Sequence, residues 1–233
     1  MINPLLEILF ILLTVTAYIV GKFIYKKSKI MLLHTIIVAT AFVILFFELS
    51  GNSIKIYEQN TKIIRYTLNL SVVAFGFLLY KNYDIIKSRG LSIFAATFIG
   101  SLVSVVSVGL ISIILGADIE MIITLLPKSI TTPIAIGLSE QTGGVVYLTA
   151  VVVTLAGIFG AIVGPWFLKI VGIRSKIAIG LSLGSAAHGI GTAKALEIGA
   201  LEGAVGGLAI ALMGLFTSVL IPIAVPIIRV FVI

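Results

Sequence analysis

Apolar runs of about 20 residues, each long enough to cross a bilayer, recur along this chain and limit its fold more than any other feature. The chain has 233 residues, 60% of them hydrophobic and 11% charged. Its mean hydropathy is +1.26. A soluble domain is about a quarter charged, so this chain has too little polar surface to cover a water-exposed fold. After loops are subtracted, the length leaves room for roughly six to eight crossings in one membrane domain over 1–233. The expected class is all-α: a polytopic helical bundle with no separate soluble domain.

The net charge of +7 is a topology signal rather than a nucleic-acid footprint. Ten of the sixteen basic residues fall in three short connectors: Lys22, Lys26, Lys27 and Lys29; Lys81, Lys87 and Arg89; Lys169, Arg174 and Lys176. No basic face carries interleaved aromatics. Basic connectors mark the cytoplasmic side of a membrane protein, which predicts a multi-pass protein of the cytoplasmic membrane. The first apolar run has Glu7 ahead and its lysines behind, the reverse of a cleaved signal peptide, and reads as a retained span. With no cysteine there are no disulfides.

Threading the chain so that all three basic stretches lie inside predicts spans at about 5–21, 30–48, 62–80 and 91–116, forming a four-span part over 1–118. The glycines and serines of the fourth (Gly100, Ser101, Ser104, Ser107, Gly109) suit close helix approach in lipid. Residues 119–142, IEMIITLLPKSITTPIAIGLSEQT, differ. Two prolines six residues apart bracket a lysine and three hydroxyls, which argues against one continuous helix. If 119–142 dips in and turns back, the next run, 144–168, returns Lys169 to the cytoplasm. Each arm of about 11 residues then reaches about mid-bilayer. Residues 177–199, IAIGLSLGSAAHGIGTAKALEIG, repeat this design with a small, polar centre, followed by a last span at about 203–228.

A shift of 57 places Leu155–Pro165 (LAGIFGAIVGP) over Leu212–Pro222 (LMGLFTSVLIP), and KSITTPIAIGLSE (128–140) over SAAHGIGTAKALE (185–197). The expected units are therefore hairpin plus span, 119–168 and 176–228. One hairpin plus one span crosses an odd number of times, so the second unit is inverted. About six spans plus two re-entrant hairpins in an inverted repeat is the architecture of many secondary transporters.

A broken helix frees backbone donors, and half-helix N-termini aim partial positive charge at the gap. The side chains there are Lys128, Ser129, Thr131, Thr132 and Pro133 in the first break, and His188, Gly189, Gly191, Thr192 and Lys194 in the second. This donor-rich, cationic set suits a small carboxylate anion, with a histidine or glutamate as carrier of a coupled proton. Glu140 and Glu197 close the hairpins as coupling groups or structural ion-pair partners. Lys194 is placed to pair with Glu197 or Glu140, or to contact substrate, and spacing does not choose. His34 is expected at the membrane interface and Glu202 as a cap of the last span. Enzyme signatures are missing: there is no HExxH, no GxSxG and no metal-ligand spacing. Neither cofactor nor metal is expected.

At LLPKSITTPIAI (125–136), SEQTGG (139–144) and HGIGTAKALEIGALEGA (188–204) the chain resembles the LrgB/CidB family of bacterial membrane proteins. The resemblance is strong over about 120–225 and weaker before residue 118. It implies a small holin-like partner of the LrgA/CidA type, a link to murein hydrolase control and autolysis, and, through related proteins, transport of monocarboxylates such as pyruvate or glycolate. A homo-oligomer is compatible with it. The chain departs from the family pattern at Leu70 and Leu78, where prolines are expected, and at Ala187 and Ala200, where a serine and an acid are expected. The first pair puts in question a broken-helix contribution of the third span to the site, and the second pair the substrate or coupling.

Overall fold

In the computed structural model, every regular element among the described residues is a helix. The described residues are 4–232 apart from 29, 31–32, 65, 68–76, 78–79 and 82. The chain divides into two compact units, Met1–Val73 and Ala74–Ile233.

The first unit contains α1 (Pro4–Ser28), α2 (Thr35–Ser50) and α3 (Ile54–Gln59). Glu7 in the first turn of α1 and Lys26 and Lys27 in its last turn suit the helix dipole. α2 starts later than position 30 because His34 caps it, its Nδ1 accepting from the Ile36 N–H at 3.4 Å. It ends at Gly51 in the left-handed region (φ 67°), a conformation glycine adopts without steric cost. Phe10, Phe47 and Tyr57 stack with ring centroids 5.4–5.7 Å apart. The Tyr57 hydroxyl lies 2.8 Å from that of Thr14.

The second unit contains α4 (Tyr83–Ser88), α5 (Gly90–Ile114), α6 (Ile119–Leu125), α7 (Thr132–Thr142), α8 (Val146–Ile170), α9 (Lys176–Ile198) and α10 (Ala200–Val232). Among the described residues, four helices are long and apolar enough to cross a membrane: α1, α5, α8 and α10. α2 is apolar but shorter. The span expected at 62–80, with Leu70 and Leu78, falls largely outside the described residues.

The two interrupted segments fold back on themselves. α6 begins at Asp118, whose Oδ1 accepts from the Met121 N–H at 2.8 Å, and α7 ends at Gly143 in the left-handed region. In one straight helix Thr124 and Ser139 would stand about 22 Å apart. Instead, a single hydroxyl, Thr149 Oγ1 on α8, lies 3.1 Å from the Thr124 carbonyl oxygen and 2.8 Å from Ser139 Oγ. The Val145 N–H donates to Thr124 Oγ1 at 2.8 Å, tying the same point to the start of α8.

α9 turns back at Ala187 (φ −129°, ψ 18°) and His188 (φ 40°, ψ −128°). Gly180 and Thr192 would be about 18 Å apart in a straight helix. A Cβ built on Gly206 of α10, however, would lie 3.3 Å from the Gly180 carbonyl oxygen and 3.1 Å from Thr192 Oγ1. The first arm runs beside α10 in the same direction, Gly180 against Glu202 and Gly184 against Gly206. The second arm returns, with Leu196 against Gly203. The α6–α7 hairpin meets α10 elsewhere, through Ile134 at Gly214 and through the Thr142 carbonyl, which accepts from Arg229 at 3.4 Å. The two hairpins therefore open toward opposite ends of α10.

Because the chain has no native cysteine, single introduced cysteines report sidedness directly. Glu120→Cys and Glu140→Cys, at the exposed ends of the first hairpin, should label from one face of the membrane. Ser175→Cys and Ile198→Cys, at the ends of the second, should label from the other. Opposite faces within either pair would mean that the segment crosses instead of turning back.

Candidate functional site

The first break is chemically cationic. Pro127 has no N–H to continue α6, and the chain leaves the helix through short turns, Lys128 N–H to Leu125 O at 3.2 Å and Ile130 N–H to Pro127 O at 3.3 Å. At this tip Lys128 Nζ donates to Ser129 Oγ at 2.9 Å. Ser129 Oγ in turn sits 3.0 Å from Ser104 Oγ, near the middle of α5. Ser129 is buried and Lys128 is half-buried. No carboxylate pairs with Lys128 among the described residues. Thr131 then starts α7 with extended backbone and no side-chain cap, and Pro133 falls in the first turn. Thr131 and Thr132 are half-buried and Pro133 is exposed. Without a side-chain cap, the dipole of α7 points its positive end at the break.

The second break is built around one imidazole. His188 is buried, 5% exposed, and its Nε2 lies 2.9 Å from the Val153 carbonyl of α8. A carbonyl only accepts, so Nε2 carries the proton, and in the neutral ring Nδ1 keeps a lone pair. The ring fits because α8 presents glycines to it. A Cβ on Gly157 would lie 2.6 Å from His188 Cε1, one on Gly160 would lie 2.7 Å from Ala187 Cβ, and one on Gly164 would lie 2.7 Å from Leu183 Cδ2. His188 is the one described non-glycine residue with positive φ. Such a backbone costs about 1–3 kcal/mol and persists only where its surroundings hold it.

The other expected site residues spread along the arms. Gly189 borders open space, whereas Gly191 packs on the Leu183 carbonyl. Thr192 is fully buried, and its hydroxyl has no hydrogen-bond partner among the described residues. Lys194 pairs with Glu197 at 2.7 Å on an exposed face. Glu140 is exposed on α7. Glu202, in the first turn of α10, is buried against Gly180 and Gly199. The structure thus gathers Lys128 and Ser129 at one tip and His188 at the other, and leaves Lys194, Glu197 and Glu140 nearer the hairpin bases. Among the described residues no group of acids and histidines could hold a metal ion.

Sequence reasoning did not assign a site role to Ser104, Gly157, or the Thr124–Thr149–Ser139 contact. Ser104 belongs to a serine series at helical spacing, which was a usable signal. A lone glycine or threonine in an apolar run carries none.

The model of the LrgB-like family matches residues 14–227. The holin-like protein CidB of Staphylococcus epidermidis is 35% identical over 218 residues, 94% of this chain and 95% of that protein. The antiholin-like protein LrgB of Bacillus mycoides is 33% identical over 217 residues, 93% of this chain and 94% of that one. YxaC of Bacillus subtilis is 34% identical over 220 residues, 94% and 96% of the two chains. No solved structure matches.

The geometry around His188 has a direct test. Gly157→Val should displace the imidazole and destabilise the purified protein by about 1–3 kcal/mol, the usual cost of overpacking. Gly189→Ala, facing open space, should leave the thermal midpoint unchanged or slightly raised. Equal midpoints for the two variants would mean that Gly157 does not shape the histidine pocket.

Proposed function

The chain belongs to the LrgB-like family, and from that premise we propose that this integral membrane protein is a transporter subunit for small monocarboxylates of the pyruvate or glycolate type. The reading places it in the bacterial cytoplasmic membrane, with a holin-like partner of the LrgA/CidA type. The reading counts about six spans and takes the two hairpins as parts of the two halves of an inverted repeat. Thr131 and His188, 57 residues apart, are the corresponding positions at which the second arms start.

Lys128 carries this reading. It is a half-buried ammonium at a break inside a membrane segment, bonded to Ser129 and without a carboxylate partner among the described residues. A cation in lipid without a counter-charge is costly and marks a functional position. A bound carboxylate would supply the missing charge, accepting from Lys128 Nζ, from the Ser129 hydroxyl and from N–H groups at the start of α7, where Thr131 and Thr132 stand. His188 offers Nδ1 as the acceptor of a coupled proton, because Nε2–H is committed to Val153. Transfer then consists of exposing the two tips alternately to the two faces. None of these steps makes or breaks a covalent bond to carbon, so this reading assigns the chain no enzymatic activity.

The names of the staphylococcal and bacillary relatives favour a second reading. In it the chain is an antiholin-like regulator that acts through its partner on murein hydrolase activity and autolysis, with no transport of its own.

Uptake of labelled pyruvate into proteoliposomes holding the chain and its partner, with and without a proton gradient, separates the two. Transport predicts saturable uptake that Lys128→Ala lowers by roughly tenfold or more, the effect of losing a charge-assisted hydrogen bond. Regulation alone predicts no saturable flux for any small acid and normal autolysis control in cells carrying Lys128→Ala.

A further inference from the structure

At the end of α8, beside the turn into α9, lies a cavity of about 370 Å³. Leu168, Ile173, Ile179 and Ile198 form apolar walls, and Lys169 and Arg174 supply its charge. The walls continue into a small packed cluster, with Ile179 against Leu168 and Leu183. Both cations are exposed. Neither has an ion-pair or hydrogen-bond partner among the described residues, and no acidic side chain lines the cavity. Its depth in the membrane follows from the helix it caps. α8 is long and apolar enough to span, with Lys169 in its last turn, and the exposed Trp166 just before that turn is an aromatic residue of the kind found at headgroup level.

We propose that this cavity binds the headgroup of an anionic phospholipid. The Lys169 ammonium and Arg174 guanidinium take the phosphate oxygens, and the isoleucine and leucine walls hold the glycerol backbone and the start of an acyl chain. Charge complementarity is the first argument, since two unpaired cations face a space free of carboxylates. The second is amphipathicity: one cavity joins two cations to aliphatic walls, a combination that a phospholipid matches and a small soluble anion does not. Basic pockets between helices on the cytoplasmic side hold anionic headgroups on the same principle. Arg174 sits in the turn that launches α9, so a lipid seated here would brace the base of the hairpin whose tip carries His188.

The test uses the full chain, purified in detergent and stripped of lipid, with bound dioleoylphosphatidylglycerol and dioleoylphosphatidylcholine counted by native mass spectrometry. The wild-type protein should retain the anionic lipid in preference, and Lys169→Gln/Arg174→Gln should weaken its retention by about tenfold or more. Removing the same charge from another basic connector, Lys26→Gln/Lys27→Gln, should leave it unchanged. Ile179→Trp, which fills the cavity and keeps both cations, should also abolish the preference, and circular dichroism verifies that each variant is folded. Equal retention of the two lipids, equal loss in the Lys26/Lys27 control, or full retention by Ile179→Trp would overturn the proposal. Displacement of the lipid by millimolar inorganic phosphate would overturn it as well, since a free oxyanion would then be the ligand. None of these outcomes depends on transport.

Discussion

Contact between backbones, permitted by glycine, is what the second unit depends on most. In lipid, apolar side chains gain little by leaving the bilayer for a protein interface, so helices associate through close packing and polar contacts. Gly180 and Gly184 on the first arm of α9 meet Gly206 on α10, and Gly203 admits Leu196 on the return arm. On its other side, α9 is received by Gly157, Gly160 and Gly164 of α8. A hairpin clasped this way needs no long loop, and its turn can be as short as Ala187 and His188. The α6–α7 hairpin is held differently, by hydroxyls: Thr149 and Thr124 join its base to α8, and Ser104 meets Ser129 at its tip.

The two hairpins also divide the electrostatics. In the second, the exposed cation already has its partner, Lys194 with Glu197, and an exposed pair of this kind contributes little to stability. The buried element of that hairpin is the imidazole, which holds a proton against a backbone carbonyl. In the first, the cation is the half-buried group, and its hydrogen bond goes to a neutral hydroxyl. One tip thus carries a lysine amine bonded to a hydroxyl, and the other an imidazole with one ring nitrogen committed to a carbonyl and the other left as an acceptor. A protein that moves a weak acid with its proton would use both.

Much of this was legible in the sequence, for reasons that differ by residue. The break at Pro127–Pro133 was visible because proline removes a donor and cannot continue a helix. The break at His188 was visible because small and polar residues interrupt an apolar run. The long helices followed from apolar length, and α5 and α8 end close to the positions expected, whereas α1 runs on to Ser28 beyond the expected end at 21 and α2 starts at Thr35 instead of 30. The closeness of the fold-back in α9 could not be read, because it rests on glycines of other helices that look unremarkable in their own apolar runs. The contact of Thr149 with both Thr124 and Ser139 escaped for a related reason. It joins residues 25 and 10 positions apart along the chain, and hydropathy does not encode which hydroxyls will meet. Lys194 had two candidate partners, Glu197 three residues on and Glu140 far along the chain, and the helical second arm pairs it with Glu197 at i, i+3.

His188 also bears on which sequence changes this position can accept. Glycine would relax its left-handed backbone, yet would give up the bond to Val153 and leave that space beside Gly157 unfilled. Alanine or leucine would keep the backbone cost without the compensating hydrogen bond. Asparagine tolerates positive φ chiefly where ψ is also positive, not at the ψ of −128° found here, and its shorter amide would not span the distance that Nε2 covers. A larger side chain at residue 157 would fill the space of the imidazole, so change at 188 is coupled to Gly157, whereas the Val153 acceptor is a backbone carbonyl that any residue there would supply.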